Sequence, residues 1–184
     1  MGLLSIIRKH KLKDNELRVL VLGLDNAGKS TITKKLKNED VNSVAPTLGF
    51  QINTIQFKEF NLNLWDIGGQ ASIRSFWGNY YDQTDVIIWV VDALSTERLG
   101  EVYEELRDKV LLQDRLKGVY LAILINKIDL ISSEYQDSVK EKVEQVLELD
   151  SQIKDQSKFA SFLVSGKSGH NLEEALNWII SREY

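Results

Sequence analysis

The eight residues Gly23-Leu24-Asp25-Asn26-Ala27-Gly28-Lys29-Ser30 decide the fold of this chain. A glycine, four further residues and then Gly-Lys-Ser form the pattern of a phosphate-binding loop. Backbone N–H groups in such a loop surround the oxygens of a di- or triphosphate, and Gly28 lets the backbone approach closely. Lys29 brings a positive charge to the β- and γ-phosphates, and the Ser30 hydroxyl is a suitable ligand for Mg²⁺. The stretch therefore predicts a phosphate site.

The flanking sequence supports this interpretation. Residues 17–22 form an apolar run that is typical of a buried strand, and residues 31–36 begin a helical pattern. Strand, loop and helix in this order are what a phosphate-binding loop requires. We expect the helix to begin at about Lys29, so that the positive end of its dipole points at the phosphates.

Composition excludes several classes of function. The chain has 184 residues, a formal net charge of −4, a hydrophobic content of 43% and no cysteine. Disulfides, thiolate zinc sites and cysteine catalysis are therefore excluded. The acidic balance argues against nucleic acid as a partner, because general nucleic-acid binders are basic. Without an apolar run of membrane-spanning length or a signal peptide, the expected protein is a cytosolic soluble domain.

Alternating apolar runs and helical stripes predict the fold class. The predicted strands cover residues 17–22, 60–64, 86–91, 119–125 and 162–164, and a further strand opens at residues 50–52; helical stripes lie between most of them. Lys58-Glu59 suits a short hairpin connection between the second and third strands. We therefore predict an α/β protein of the P-loop NTPase type, with a mostly parallel, doubly wound, six-stranded sheet and helices on both faces.

The first 14 residues predict a separate amphipathic helix, with apolar residues on one face and basic residues on the other. Two interpretations stay open: the helix lies on a membrane or in a partner's groove, or it packs permanently on the domain. Gly2 suggests acylation, but that pattern requires Ser or Thr at the sixth position, where this chain has Ile6. The predicted organisation is a helix at 1–14 and a nucleotide-binding domain at 15–184.

The motif Asn126-Lys127-Ile128-Asp129 follows a predicted strand, about where ligands bind to doubly wound sheets. The Asp129 carboxylate can accept hydrogen bonds from N1–H and the exocyclic amine of guanine, whereas adenine offers no donor at N1. A site that depends on such a pair discriminates by roughly 10⁴–10⁵. Asn126 would brace the loop, and Lys127 would lie along the base. The backbone of Ser165-Gly166-Lys167, after the last strand, is a further candidate contact to the base.

The motif Asp66-Ile67-Gly68-Gly69-Gln70 also follows a predicted strand. Asp66 can hold Mg²⁺ through water, and Gly69 can donate its N–H to a γ-phosphate. Gln70 can orient an attacking water. Thr47, after the single proline Pro46, could complete the Mg²⁺ coordination when a γ-phosphate is present.

Together these motifs resemble those of an ADP-ribosylation-factor-like small GTPase, and the similarity runs nearly end to end. The carrying segments are Gly23 to Thr31, Pro46 to Phe50, Trp65 to Gln70 with Arg74, Trp77, Tyr80 and Tyr81, and Asn126 to Asp129. Ser30 stands where the family usually has threonine, and Gly166 where it usually has alanine. Met1 to Leu4 and Pro46 to Phe50 are most similar to the branch of the family that is linked to tubulin-folding cofactors.

The resemblance implies a role for each site residue. Residues 15–184 would be the small GTPase (G) domain. Gln70 would be the catalytic residue, and Ser30, Thr47 and Asp66 would hold Mg²⁺. The implied GTP-binding residues are Gly23, Asp25, Asn26, Ala27, Gly28, Lys29, Ser30, Thr31, Thr47, Gly69, Asn126, Lys127, Asp129, Ser165, Gly166 and Lys167. Phe50, Trp65 and Tyr80 resemble the apolar triad with which the family recognises effectors, although simple core packing stays open for Trp65.

The family resemblance also implies a mechanism. In the GTP state Thr47 and Gly69 would both engage the γ-phosphate, and hydrolysis would release them. The family slides the hairpin between these two loops, which couples the nucleotide to the amino-terminal helix. No arginine can be assigned as a built-in catalytic finger, so intrinsic hydrolysis should be slow and an activating protein should accelerate it.

The implied partners are guanine nucleotide, an activating protein, an exchange factor and effectors, with tubulin-folding cofactors and a prenyl-binding solubilising factor as specific candidates. We expect a monomer in the cytoplasm, with weak or no stable membrane association; a cytoskeletal, centrosomal or peripheral-membrane fraction stays open. The alternatives are an Arf-type trafficking GTPase recruited to membranes and a non-hydrolysing GTP-binding scaffold. A kinase is disfavoured because Asp129 has no use with adenine.

Overall fold

The computed structural model describes residues 15–184. The predicted helix at 1–14, Gly2 and the acylation prediction lie outside these described residues. Within 15–184, no helix combines the length and the apolar character that crossing a membrane requires.

Six strands of the described chain form one sheet in the order β2-β3-β1-β4-β5-β6. The strands are β1 (Glu16–Leu22), β2 (Phe50–Phe57), β3 (Phe60–Ile67), β4 (Val86–Asp92), β5 (Tyr120–Asn126) and β6 (Phe159–Leu163). The β2–β3 pair is antiparallel, and the other neighbouring pairs are parallel. The mostly parallel, doubly wound sheet predicted from the sequence is therefore confirmed.

Helices cover both faces of this sheet. They are α1 (Lys29–Leu36), α2 (Ala71–Arg74), α3 (Leu99–Leu106), α4 (Ser133–Leu147), α5 (Leu149–Gln152) and α6 (Leu172–Ile180). Gly28, directly before α1, has a left-handed backbone conformation with φ +96°. A residue without Cβ adopts this conformation at little cost, so the glycine fixes the point at which the loop becomes a helix.

The core consists of two apolar layers, one on each face of the sheet. Leu20 and Leu22 of β1 belong to the layer that α3 and α4 cover, whereas Val19 and Val21 belong to the layer under α1 and α6. Successive side chains of a strand point to opposite faces, so a strand that is buried on both faces must be apolar throughout. This is why the central strands appear in the sequence as unbroken apolar runs.

Three elements differ from the sequence prediction. Strand β3 continues to Ile67, past the predicted end at residue 64, because it pairs with β1 and β2 up to that point. The last strand begins at Phe159 rather than at residue 162, because β6 is an edge strand whose side chains are only half-buried. The helical stripe after β4 also divides into α3 and a π-helical turn, Arg107–Leu111. Apolar spacing does not distinguish these two kinds of helical turn, since both bury residues three or four positions apart.

The β1–β3 register fixes the position of the hairpin that β2 and β3 form. Val19 lies opposite Leu64, and Val21 lies opposite Asp66. The hairpin turn is Lys58-Glu59, as predicted, and Lys58 has a positive φ of 53°. The carboxyl ends of β1, β3, β4 and β5 meet at one edge of the sheet, and the loops that carry the sequence motifs leave from this edge.

Candidate functional site

A cavity of about 240 Å³ lies beyond the carboxyl ends of β1 and β3. We refer to it as the cradle. Its lining residues come from three separate loops: Asp25, Asn26, Gly28, Lys29, Ser30, Thr31, Val44, Ala45, Pro46, Thr47, Gly68, Gly69 and Gln70. The fold thus brings the phosphate-loop motif, Thr47 and the Gly-Gly-Gln motif to one cavity.

The three glycines that line the cradle, Gly28, Gly68 and Gly69, have no space for a side chain. A Cβ at Gly28 would lie 2.2 Å from Nδ2 of Asn126. A Cβ at Gly69 would lie 2.5 Å from the Gly23 carbonyl oxygen and 2.5 Å from Nζ of Lys29. The walls of the cradle therefore approach each other as closely as backbone allows, which suits a site whose ligand is held by backbone N–H groups.

Lys29 is buried, with 6% of its surface exposed. Its ammonium donates to the carbonyl oxygens of Gly23 (2.9 Å) and Leu24 (2.8 Å). Burial lowers the pKa of Lys29 to about 8, although the charges of Asp66 and Asp25 partly oppose this change. A cation buried in a phosphate-sized cavity is stabilised by an anionic ligand, which restores the preference for the charged form.

Ser30, Thr47 and Asp66 place hard oxygen atoms beside this lysine. Ser30 Oγ lies 2.7 Å from Oγ1 of Thr47 and donates to Oδ2 of Asp66 at 2.6 Å. The other carboxylate oxygen, Oδ1 of Asp66, is buried and has no hydrogen-bond partner among the described residues. Burial raises the pKa of Asp66, against the hydrogen bond from Ser30 and the charge of Lys29. Such a donor set, with one oxygen unsatisfied, fits Mg²⁺.

The Gly-Gly-Gln loop is held by its backbone. The Gly68 carbonyl accepts from Nε1 of Trp77 at 3.0 Å, and the Gly69 carbonyl accepts from Nε of Arg74 at 2.8 Å. The backbone N–H of Asp25 also donates to the Gly69 carbonyl, at 3.1 Å. The side chain of Gln70, in contrast, is exposed at the mouth of the cradle and is free to meet a ligand or water.

Asn126 connects three loops of the site. Its amide donates to the Ala27 carbonyl at 2.9 Å, and its Oδ1 accepts from the backbone N–H of Gly166 at 2.8 Å. The bracing contact expected of this asparagine is therefore present. Asn126 thus holds the phosphate loop against the loop after β6. Its contact with Ala27 joins residues that are 99 positions apart in the chain.

Asp129, Ser165 and Lys127 belong to the two segments that Asn126 and Gly166 join. The Asp129 carboxylate is exposed, and its Oδ1 accepts from Oγ of Ser165 at 2.6 Å. Lys127 has a left-handed backbone, and its ammonium contacts Oδ2 of Asp92 at 2.7 Å. These residues and the exposed Lys167 border the same edge of the sheet but do not line the cradle itself.

Phe50, Trp65 and Tyr80 form one aromatic cluster. The ring centroids are 6.0 Å apart for Phe50 and Trp65, 5.3 Å for Phe50 and Tyr80, and 6.1 Å for Trp65 and Tyr80. Phe50 is 47% exposed, whereas the other two rings are half-buried against the core. The Arg18 guanidinium lies 3.9 Å from the Trp65 ring centroid and covers one side of the cluster.

Several polar residues near the site stand outside the motifs predicted from the sequence. Asp92 ends β4 and pairs with Lys127, and its position at a strand end was a signal that could have identified it. Arg98 and Glu101 contact each other; Arg98 also contacts Asp25, and Glu101 also contacts Arg74. Neither residue has a comparable signal in the sequence.

Comparison with known proteins agrees with the geometry. A family model described as the ADP-ribosylation factor family matches residues 3–183. The chain is 41% identical over 180 residues to ADP-ribosylation factor-like protein 2 of Dictyostelium discoideum, which covers 98% of this chain and 94% of the relative. It is 44% identical to the protein of the same name from Arabidopsis thaliana, again over 98% and 94% of the two chains.

Further similarities extend beyond this one type of relative. ADP-ribosylation factor-like protein 3 of Chlamydomonas reinhardtii is 43% identical over 99% of both chains. Among solved structures, the Arl6 BBS3 small GTPase from Trypanosoma brucei with bound nucleotide analogue GppNp matches with a TM-score of 0.76 and 27% identity, over 89% of this chain and 95% of that chain. From its motifs, fold and relatives together, the chain belongs to the ADP-ribosylation factor family and is a small GTPase, a switch that binds guanine nucleotide.

Proposed function

We propose that the cradle holds the phosphates of GTP, that Ser30, Thr47 and Asp66 hold Mg²⁺, and that Gln70 orients the attacking water. The oxygen cluster beside Lys29 is the observation that best supports this assignment, because Ser30, Thr47 and Asp66 converge within hydrogen-bond distance. Oδ1 of Asp66 is buried and has no hydrogen-bond partner among the described residues, so a cation bound here would satisfy it. Mg²⁺, when bound, would neutralise charge on the β- and γ-phosphates.

In this proposal the protein's own groups hold the substrate for an in-line attack. Lys29 exchanges its two carbonyl contacts for phosphate oxygens, and the N–H of Gly69 donates to the γ-phosphate. Gln70 orients a water whose oxygen forms a bond to the γ-phosphorus as the bond from that phosphorus to the bridging oxygen breaks. A proton of the water passes to the phosphate, and GDP and phosphate leave. Thr47 and Gly69 then lose their common ligand, which is the change that effectors would detect.

The same geometry supports slow intrinsic hydrolysis. Arg74 and Arg98, the two arginines that contact Asp25, are both engaged with carboxylates. Because both guanidiniums are already paired, transition-state charge would rely on an arginine from an activating protein. Such a residue contributes roughly 10³–10⁵ in rate.

The catalytic role of Gln70 is tested by single-turnover hydrolysis with the variant Gln70→Leu. We expect nucleotide binding to be retained and intrinsic hydrolysis to fall by at least about tenfold, because the water loses its orienting group. Gln56→Leu, an exposed change in β2, is the matched control and should leave the rate unchanged. An unchanged rate in Gln70→Leu would remove the catalytic role and favour the GTP-binding scaffold.

We also propose that the GTP-bound protein serves tubulin folding or microtubule regulation and the release of lipidated cargo, through tubulin-folding cofactors and a prenyl-binding solubilising factor. Two relatives named ADP-ribosylation factor-like protein 2, and the resemblance of Pro46 to Phe50, support this branch. The exposed side chains of Leu48, Phe50 and Ile52 give the aromatic cluster an apolar surface for such partners. The proposed location is the cytoplasm, with a cytoskeletal fraction.

Liposome flotation separates this proposal from the membrane-recruited, Arf-type alternative. The full-length protein would be loaded with GDP or with a non-hydrolysable GTP analogue, with and without prior N-myristoyltransferase treatment. We expect the protein to stay soluble in all conditions, because Ile6 interrupts the acylation pattern. Flotation in the GTP form alone would instead support a lipid-binding amino terminus and a trafficking role.

A further inference from the structure

Asp25 lines the cradle and presents its carboxylate to Arg98 and Arg74. It is the acidic residue of the phosphate loop, and it lines the cradle together with Lys29 and Gln70. Its backbone N–H donates to the Gly69 carbonyl at 3.1 Å, so it lies on the side where we propose that the γ-phosphate binds. A negative charge at this position is unexpected, because like charges repel in a site built for a triphosphate.

Two arginines hold this carboxylate. Arg98 contacts Oδ1 of Asp25 at 2.9 Å and also donates to its backbone carbonyl at 3.2 Å. Arg74 contacts the same Oδ1 at 3.2 Å. The hydrogen bond from Arg98 is the main cause of a lowered pKa for Asp25, which keeps the carboxyl ionised.

The arginines are in turn fixed by α3. Glu101 accepts from Nε of Arg98 at 2.9 Å through one carboxylate oxygen and from Arg74 at 2.7 Å through the other. Glu105, one helical turn further on, adds a contact to Arg74 at 3.3 Å. Arg74 is 4% exposed, so its position is set by packing as well as by charge. Arg74 therefore anchors one side of the network in the fold, whereas Arg98 and Asp25 form its partly exposed side.

The charges of this network should affect the binding of GTP more than the binding of GDP. GTP carries one more charged phosphoryl group than GDP, and that group would lie nearest to Asp25. A carboxylate that is paired with Arg98 and Arg74 repels this group less than the same carboxylate would without Arg98. Repulsion of the β-phosphate would change less, because it lies further along the phosphate loop.

We propose that Arg98 is a specificity-determining residue, which neutralises the Asp25 carboxylate and so permits the cradle to bind GTP as well as GDP. Arg98 acts through Asp25 and is a positioning residue. This inference rests on the proposed function, because it takes the γ-phosphate to lie beside Gly69.

The test is a double-mutant cycle on nucleotide affinity. Dissociation constants for GDP and for a non-hydrolysable GTP analogue would be measured on the full chain with Mg²⁺, for wild type, Arg98→Gln, Asp25→Asn and the double variant. Arg107→Gln is the matched control: it removes the same charge from a surface pair with Asp108 that does not border the cradle. Because Arg98 is partly exposed, its replacement should leave the fold intact, and thermal unfolding would verify this.

We expect Arg98→Gln to weaken the binding of the GTP analogue about tenfold more than the binding of GDP. The effect should not be larger, because Arg74 still pairs with the Asp25 carboxylate. In the Asp25→Asn background the same change should alter the ratio of the two affinities by less than about twofold. Arg107→Gln should leave the ratio unchanged.

Two results would overturn the inference. An equal loss for both nucleotides would make Arg98 merely structural. A ratio change that persists without the Asp25 carboxylate would make Arg98 a direct phosphate contact. If the wild type itself failed to bind either nucleotide, the proposed function would fail as well, and this outcome is distinct from the other two.

Discussion

Gly69 shows at the scale of one residue how little space the cradle leaves. Its nearest neighbours are atoms of the phosphate loop and the Lys29 ammonium, all 2.5 Å from where a Cβ would be. Since backbone atoms cannot yield as a flexible side chain can, a methyl group here must move one wall of the cradle.

For Gly69→Ala we therefore predict a loss of affinity for GTP but not for GDP. Displacement of the Gly69 N–H removes a charge-assisted hydrogen bond to the γ-phosphate, so affinity for a non-hydrolysable GTP analogue should fall about tenfold to hundredfold. Affinity for GDP should change by less than about threefold. Nucleotide competition measurements would check this, with Gly100→Ala as control because a Cβ there has nothing within 4 Å. Equal losses for both nucleotides would contradict the proposed contact.

Residue type and local spacing could predict the individual chemical roles but not the residues that support them. Lys29 and Ser30 stand in a contiguous pattern whose chemistry is known, so their position beside a phosphate site follows from the sequence. The contact between Arg98 and Asp25 joins side chains 73 positions apart. Nothing in either segment indicates this pairing, since it depends on how α3 packs beside the phosphate loop.

At the scale of elements, the loop after β1 and the loop after β6 behave as one unit because Asn126 joins them. The amide satisfies a buried carbonyl on one side and a buried N–H on the other. A side chain with one acceptor and one donor group suits this geometry, and aspartate or alanine would not replace both contacts.

Asn126→Ala should lower the free energy of unfolding by about 2–4 kcal/mol, because it leaves two buried backbone groups unpaired. Chemical denaturation at a fixed GDP concentration would measure this, since bound nucleotide contributes to apparent stability. Asn61→Ala, an exposed change in β3, should cost less than about 0.5 kcal/mol. If Asn126→Ala weakened nucleotide binding with no loss of stability, the residue would be a ligand contact and not a brace.

The elements themselves were predictable to different degrees. The central strands β4 and β5 are buried along almost their whole length and are apolar without interruption, so their sequence identifies them directly. Strand β2 has one buried residue, Ile55, and its first residues are exposed. Its full length follows from pairing with β3, which local pattern does not reveal.

At the scale of the whole molecule, the hairpin turn connects the edge of the sheet to α6. The Lys58 ammonium contacts Oδ1 of Asn177, far from the cradle at the opposite end of β3. If the hairpin slides when the γ-phosphate is lost, this contact must change with the nucleotide.

A cross-linking experiment tests this coupling. The chain has no cysteine, so Lys58→Cys together with Asn177→Cys supplies a single pair of thiols for a short bis-maleimide. We expect efficient cross-linking with a non-hydrolysable GTP analogue and at least about fivefold slower cross-linking with GDP, because the turn moves by more than the length of a side-chain contact. A Glu144→Cys/Ser161→Cys pair, away from the hairpin, should react at the same rate in both states. Equal rates for the first pair would exclude the slide.

The β1–β3 register limits what such a slide can be. Leu62 and Leu64 are buried on the face that Val19 shares, and the residue before each of them is an asparagine. A shift by one residue would turn Asn61 and Asn63 into the core, so the hairpin can move only in steps of two residues, or about 6.6 Å.

The direction of the step is limited as well. Movement away from the cradle would bring the Asp66 carboxylate opposite Val19, in the apolar layer that Leu64 now fills. Movement toward the cradle replaces Leu64 by Leu62 and Leu62 by Phe60, so the layer stays apolar. From the described conformation, a slide of the hairpin toward the cradle would therefore keep this layer apolar, and it would break the contact between Lys58 and Asn177 of α6.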